Sequence, residues 1–293
     1  MKKITVIIYF NLAVTLVAGM VAVAITLFRP ANSTFRTYAK TEVIGAKLFA
    51  NKLPSWTFTD VRLTILSDTT IEHFTGIVKP NSNVRFKAIR ISNGPLWLTL
   101  SGDQGAVAQI VDYTSDVRFA ASRKLSIKIP NIDQRLDNGE SIALSIVGEI
   151  ELGAEISANV EPGVPVPVLH SGSGNIYSER ILGGTVFEAA SYGLQMGDRF
   201  FVSPPTTKWE SPNGVAAITC DHNPGLTTVL SAVGGEAWVT GYGRKAYPIR
   251  ISHWDRLQND PEVQALWLIT GVFIAIWKLL ARKVRAREKE RGL

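Results

Sequence analysis

Hydrophobic residues follow three patterns along this chain. The first is the run Ile4 to Phe28, 25 residues without a charge. At about 1.5 Å per helical residue it spans roughly 37 Å, enough to cross a hydrocarbon core of about 30 Å with some tilt. The second begins near Trp56, where apolar and polar residues alternate with period two. The third is the run Val263 to Leu280, 18 residues or about 27 Å of helix, followed by a basic tail. The pattern predicts a membrane-anchored all-β protein with N-terminal and C-terminal transmembrane helices flanking a sandwich- or barrel-like extracytoplasmic region.

The first run has one rival reading, a cleaved signal peptide with Lys2 and Lys3 as its basic end and Ala22-Val23-Ala24 as the cleavage site. Cleavage there would leave Ile25 to Phe28 exposed, and the run exceeds the usual apolar core of about 7–15 residues. An uncleaved helix over 4–28 is therefore expected, after a cytoplasmic end of three residues. Ala18, Gly19 and Ala22 place small side chains on one of its faces, which permits close helix packing.

Pro30 should break that helix. Over 29–54 the sequence predicts a juxtamembrane amphipathic helix from Phe35 to Lys52, capped by Ser33 or Thr34. Its apolar side would be Ala39, Val43, Ile44, Ala46 and Leu48, and its polar side Lys40, Glu42, Lys47 and Lys52. It would pack on the β region or lie among lipid headgroups.

Alternation then marks strands. Val84, Phe86 and Ala88 sit among Arg85, Lys87 and Arg90; Leu125, Ile127 and Ile129 alternate with Ser126 and Lys128; Ile142, Leu144 and Ile146 alternate with smaller residues. Asn93-Gly94-Pro95, Ser101-Gly102-Asp103 and Asp137-Asn138-Gly139 read as turns. Asn138-Gly139 suggests a hairpin joining Leu125–Ile129 to Ser141–Gly148.

Three prolines in 161–167 predict an extended linker between a β domain over 55–160 and a second β unit over 168–252. Half of the 24 glycines fall between His170 and Gly243, so tight turns dominate there. Strands are expected at Arg199 to Ser203, Val215 to Cys220, Thr227 to Val233, Glu236 to Thr240 and Tyr247 to Ser252. One continuous domain crossed by the proline segment is the alternative.

A juxtamembrane segment, 253–262, leads to the second span, 263–280. Asp260-Pro261-Glu262 supplies a cap, a proline at the first helical position and an acid at the positive dipole end. Gly271 and Ala275 form a small-x-x-x-small step for helix packing. Trp267 and Trp277 are interface candidates, and Lys278, Arg282, Lys283 and Arg285 would meet the cytoplasmic surface, continuing into a tail over 281–293.

Charge changes the picture in one respect. Net charge is +6, which suggests a nucleic-acid partner until it is located. Lys2 and Lys3 carry two of the positive charges. From Lys278 onward seven basic residues against two acidic ones carry five more, which leaves −1 between the anchors. Basic ends around a nearly neutral middle mark membrane orientation, with both termini cytoplasmic, and no nucleic-acid partner is expected.

Little chemistry is visible. The chain has one cysteine, so no intrachain disulfide forms. Phosphate-loop, nucleophile-elbow and dinucleotide-loop spacings are missing from the sequence. Cys220-Asp221-His222 is the densest cluster. In a strand Cys220 and His222 would share a face as metal ligands, but Asn223-Pro224-Gly225 follows at once and favours a turn. Asp198 reads as a turn residue, Glu149 and Glu151 as a surface pair, and Trp97, Trp209 and Trp238 as either core or an exposed aromatic site.

These features imply no cofactor and a non-enzymatic scaffold or assembly subunit in a bacterial inner membrane. Its partners would be the membrane and other membrane or envelope proteins, a second copy of the chain among them. A ligand sensor acting through the two helices is the alternative, as is an envelope hydrolase or transferase with an unrecognised site.

Overall fold

The computed structural model describes residues 19, 33–48, 55–65, 69–114, 117–140, 142–154, 166–180, 185–203, 214–241 and 245–290, the side chains of Gln104 and Val117 and some after 202 excepted. Ala18, Ala22, Lys2 and Lys3 lie outside the described residues, and Gly19 is helical.

The body is all-β. Its strands are β1 (Ser33–Thr41), β2 (Val43–Leu48), β3 (Trp56–Ile65), β4 (Thr69–Pro80), β5 (Arg85–Ile89), β6 (Leu96–Asp112), β7 (Val117–Ile129), β8 (Ala143–Leu152), β9 (Leu169–Glu179), β10 (Val186–Leu194), β11 (Arg199–Ser203), β12 (Gly214–Thr219), β13 (Leu226–Gly234), β14 (Glu236–Thr240) and β15 (Tyr247–Ile249). They join in one sheet of order β10-β9-β1-β13-β12-β8-β2-β5-β6-β4-β3-β7, from which β11, β14 and β15 branch at β8. Because β7 also pairs with β6, the strands β6, β4, β3 and β7 close a ring, which makes the sheet barrel-like.

Register carries one inward face across strand after strand. Thr37, Leu230, Ala216 and Ile146 lie opposite one another across β1, β13, β12 and β8. Ala88, Leu98, Ile127 and Leu63 do the same across β5, β6, β7 and β3. All but Thr37 are apolar, and all are nearly or fully buried. Fully burying a large apolar side chain contributes about 1.5–3 kcal/mol, so this shared face is the main source of stability. Trp56 adds to it by packing on Phe86 with ring centroids 5.2 Å apart and donating its indole N–H to the Ser145 carbonyl. At Gly148 the backbones of β8 and β2 pass so closely that an added Cβ would collide with the Lys47 carbonyl.

The structure overturns the amphipathic helix expected over 29–54. Ser33–Thr41 and Val43–Leu48 are strands. Phe35, Thr37, Ala39 and Thr41 point inward from β1 and Ile44, Ala46 and Leu48 from β2. Buried backbone groups at these positions pair with β13 on one side of the bend and with β8 and β5 on the other. A surface helix would have left those sheet edges unpaired.

The hairpin expected at Asn138-Gly139 is also absent. A one-and-a-half-turn helix, α1 (Ile132–Asp137), follows β7, and β8 leaves to join β12 and β2. Asn131, the residue before α1, and Gly139, just past it, both adopt left-handed backbone, at φ 52° and 80°. The turn residues at 137–139 therefore end a helix rather than join two strands.

From Arg199 onward the strands fall close to expectation: β11 and β14 coincide with it, and β12, β13 and β15 differ by one to three residues, whereas β9 and β10 are additional to it. Strands from both sides of 161–167 lie side by side in the sheet, with β13 between β1 and β12, and β12 between β13 and β8.

A second compact unit groups Ser178–Ala190 with Ile251–Leu293. It holds the helices α2 (His253–Asn259) and α3 (Pro261–Glu290). Among the described residues no helix is long and apolar enough to cross a membrane. The structure thus establishes the all-β body and leaves the two flanking spans without support.

Candidate functional site

The helical unit begins with two side-chain caps. Ser252 and Asp255 exchange hydrogen bonds at the start of α2: the Ser252 Oγ accepts from the Asp255 N–H at 3.0 Å, and an Asp255 carboxylate oxygen accepts from the Ser252 N–H at 3.2 Å. This is a capping box with aspartate in the reciprocal position. At α3, Asp260 accepts from the Glu262 N–H at 2.8 Å through Oδ1, and its carbonyl accepts from the Gln264 N–H at 3.0 Å. Asp260 is fully buried, so the cap expected from Asp260-Pro261-Glu262 is formed inside the unit. The Asn259 amide donates to the Ala189 carbonyl at 2.8 Å, tying the helix junction to β10.

Beyond its first turn α3 is unusual for a helix in contact with water. Trp267, Leu268, Ile269, Val272, Ile274, Ile276 and Leu279 are all exposed, Trp267, Leu268 and Leu279 by about two-thirds. At 3.6 residues per turn these side chains cover about 220° of the circumference, roughly twice the apolar stripe of an amphipathic surface helix. Among the described residues Gly271 meets nothing within 4 Å of where a Cβ would stand, and Ala275 is exposed, so they leave the small-residue step open. Lys278, Arg282 and Lys283 are exposed further along the same helix, which continues through the basic residues to Glu290. The side chains of Trp277 and Arg285 lie outside the described residues.

The chemical candidates of the β body resolve into structural roles. Strand β12 ends at Thr219, so Cys220 and His222 do not share a strand face. Cys220 is buried, His222 is about two-thirds exposed and 3.9 Å from Asp137, and no metal-binding cluster exists among the described residues. Asp221 shapes the turn by accepting from the backbone and side-chain N–H groups of Asn223 at 3.0 and 2.9 Å. Asp198 is buried and accepts from the Gln195 N–H at 2.7 Å. Glu151 forms a two-point ion pair with Arg199. Trp97 is exposed, Trp238 is half-buried and Trp209 lies outside the described residues.

Burial pushes the Cys220 thiol up to about 11, against an opposing pull from the Arg90 guanidinium, and pushes the Tyr192 hydroxyl up to about 12, against its hydrogen bond with Thr37. Both groups hold their protons more tightly in the folded chain than in the unfolded one. Their contribution to stability is complete below about pH 9 and is lost as pH rises through 11 and 12. Iodoacetamide at pH 8 should leave Cys220 unmodified in the native protein and label it fully in urea, as read by mass spectrometry. Rapid native labelling would contradict the burial.

Two residues escaped the sequence reading. Arg90, just past β5, is fully buried. It donates to the carbonyls of Asp221, Asn223 and Gly225 at 2.8, 3.3 and 3.0 Å and to the Asp133 carboxylate at 3.1 Å. Glu42, at the bend between β1 and β2, is nearly buried and accepts from the Ser92 and Val168 N–H groups at 2.9 and 3.2 Å. In the sequence each looks like an ordinary surface charge. Together they pin three loops to the strand bend. No family model, curated protein or solved structure matches this chain.

Proposed function

We propose that the chain is a two-pass membrane protein that acts without catalysis as a scaffold or assembly subunit of a bacterial inner-membrane complex. The β body is extracytoplasmic in this reading, and both termini are cytoplasmic. One observation carries it: the apolar residues of α3 from Trp267 to Leu279 stand uncovered around most of the helix. Water does not favour that arrangement, whereas lipid or a neighbouring helix covers it. The basic residues after Leu279, and Lys2 and Lys3 at the other end, agree with cytoplasmic flanks. Gly271 and Ala275 offer the place where a second helix approaches.

The test uses that open step. Gly271→Leu adds a side chain where nothing among the described residues is in contact, so the stability of the β body should not change. Affinity purification from crosslinked native membranes should recover defined partner subunits with the wild type and lose them with the variant. A wild type that purifies alone would overturn the scaffold, and partners retained by Gly271→Leu would overturn packing at this step.

A further inference from the structure

The pairing of β2, β5, β6, β7 and β3 collects cations that are far apart in sequence onto one outward face. Lys47 lies opposite Arg85, Arg85 opposite Ser101, and Ser101 opposite Lys124. One row along, Gly45, Lys87, Thr99, Ser126 and Thr64 align in the same way. The next row holds Ile89, Trp97, Lys128 and Arg62. On the outward faces of β5, β6 and β7 these rows contain Arg85, Lys87, Lys124 and Lys128, three hydroxyl side chains and an exposed tryptophan, and no carboxylate.

Acids stand at the borders, Asp103 among them, exposed on β6 two residues beyond Ser101. Glu149 lies opposite Lys47, Glu151 is engaged by Arg199, and Glu72 is engaged by Arg62 at 3.0 Å. Among the described residues Arg85, Lys87 and Lys124 take part in no ion pair. Like charges directly opposite, as Lys47 and Arg85 are, destabilise a sheet. Glu149, on the other side of Lys47, offsets part of this repulsion, and Arg85, Lys87 and Lys124 remain without an acid partner among the described residues.

We infer that this face binds an anionic polysaccharide. Neighbouring strands lie about 4.8 Å apart, so Lys47 and Lys124, three strands distant, present charge over roughly 14 Å. That suits an extended chain bearing repeated carboxylate or sulfate groups. Thr64, Thr99, Ser101 and Ser126 supply hydroxyls that both donate to and accept from sugar hydroxyls. Trp97 is 43% exposed, with the Lys128 ammonium 5.1 Å from its ring centroid, and offers an aromatic surface for a sugar ring.

Three other partners fit less well. Single-stranded nucleic acid is held by several aromatics on which successive bases stack, and these rows hold one. Protein interfaces are depleted in lysine, which supplies most of the charge here. A lipid surface would find one large aromatic, already beside a cation. The inference concerns the β body alone and does not rest on how the chain meets the membrane.

The test is binding of a heparin decasaccharide and of polygalacturonate to the full-length protein in detergent, followed by calorimetry at two salt concentrations. Binding should weaken steeply with salt. The pair Lys87→Glu and Lys124→Glu should weaken it at least about tenfold, because charge reversal places repulsion where attraction stood. Trp97→Ala should weaken it about threefold without changing the salt dependence. Arg118→Glu, beyond the register shift in β7, should leave it unchanged. A dT oligonucleotide bound more tightly than either glycan would overturn the inference. So would charge-sensitive binding to phosphatidylglycerol vesicles without glycan binding, or no salt-sensitive binding to either glycan.

Discussion

Arg90→Ala should lower the stability of the β body by about 3–5 kcal/mol, the range for removing one partner of a buried charged network. Its guanidinium is the donor for three carbonyls of the 221–225 turn and for Asp133. Alanine leaves those acceptors facing a cavity, and each buried acceptor left unpaired costs about 1–3 kcal/mol. The urea midpoint should fall while the slope stays the same, and the melting temperature should drop by about 10 °C. Arg90→Lys should recover little, because one ammonium cannot span acceptors that a planar fork reaches together. A loss below about 1 kcal/mol would show that the turn is held by Asp221 and the backbone instead.

If α3 spans the membrane with a cytoplasmic C-terminus, as proposed, Val272→Asp with Ile276→Asp should leave that terminus on the opposite side. Both residues are about half exposed and lie one turn apart near the middle of the apolar part of α3. An aspartate at the centre of a membrane helix costs about 2.5–3.5 kcal/mol, so the pair opposes insertion by about 6 kcal/mol. A C-terminal epitope should be protected from protease in wild-type spheroplasts and cleaved in the double variant. Gln264→Asp, near the end of the helix, should leave the epitope protected. An epitope equally protected in the double variant would show that α3 does not span lipid.

Five of the seven strands after Gly163 were legible because short apolar runs stand between turn residues, and β11 and β14 coincide with them; β9 and β10, rich in small and polar residues, were not. The cap of α3 was legible because it depends on three consecutive residues. The first two strands were hidden by a change of parity. Inward positions are odd in β1 and even in β2, with the bend at Glu42 between them. Across that bend Ala39, Val43, Ile44 and Leu48 fall at helical spacing, and the inward Thr37 and Thr41 look polar. A strand that changes sheet neighbours midway thus imitates an amphipathic helix.

The basic face was hidden differently. Its cations come from three strands, and the neutral charge of the middle region averages them against acids elsewhere. Arg90 likewise reads as the polar member of an alternating strand, because nothing local records that a turn 131 to 135 residues away needs a donor.

By itself the sequence determined what is local: most of the period-two strands, the turn at Asn93-Gly94, helix caps, two apolar runs and the placement of charge at the ends, although Ser101-Gly102-Asp103, read as a turn, runs inside β6. These follow from neighbours within a few residues, where backbone sterics and side-chain alternation act. The tertiary structure alone decided which strands pair, that Ser33–Leu48 is sheet, that Arg90 and Glu42 are buried, and that Lys47, Arg85, Lys87 and Lys124 share a face. Each of these depends on hydrogen-bond register between distant segments, and register is set by burying a common apolar face rather than by any one segment's composition.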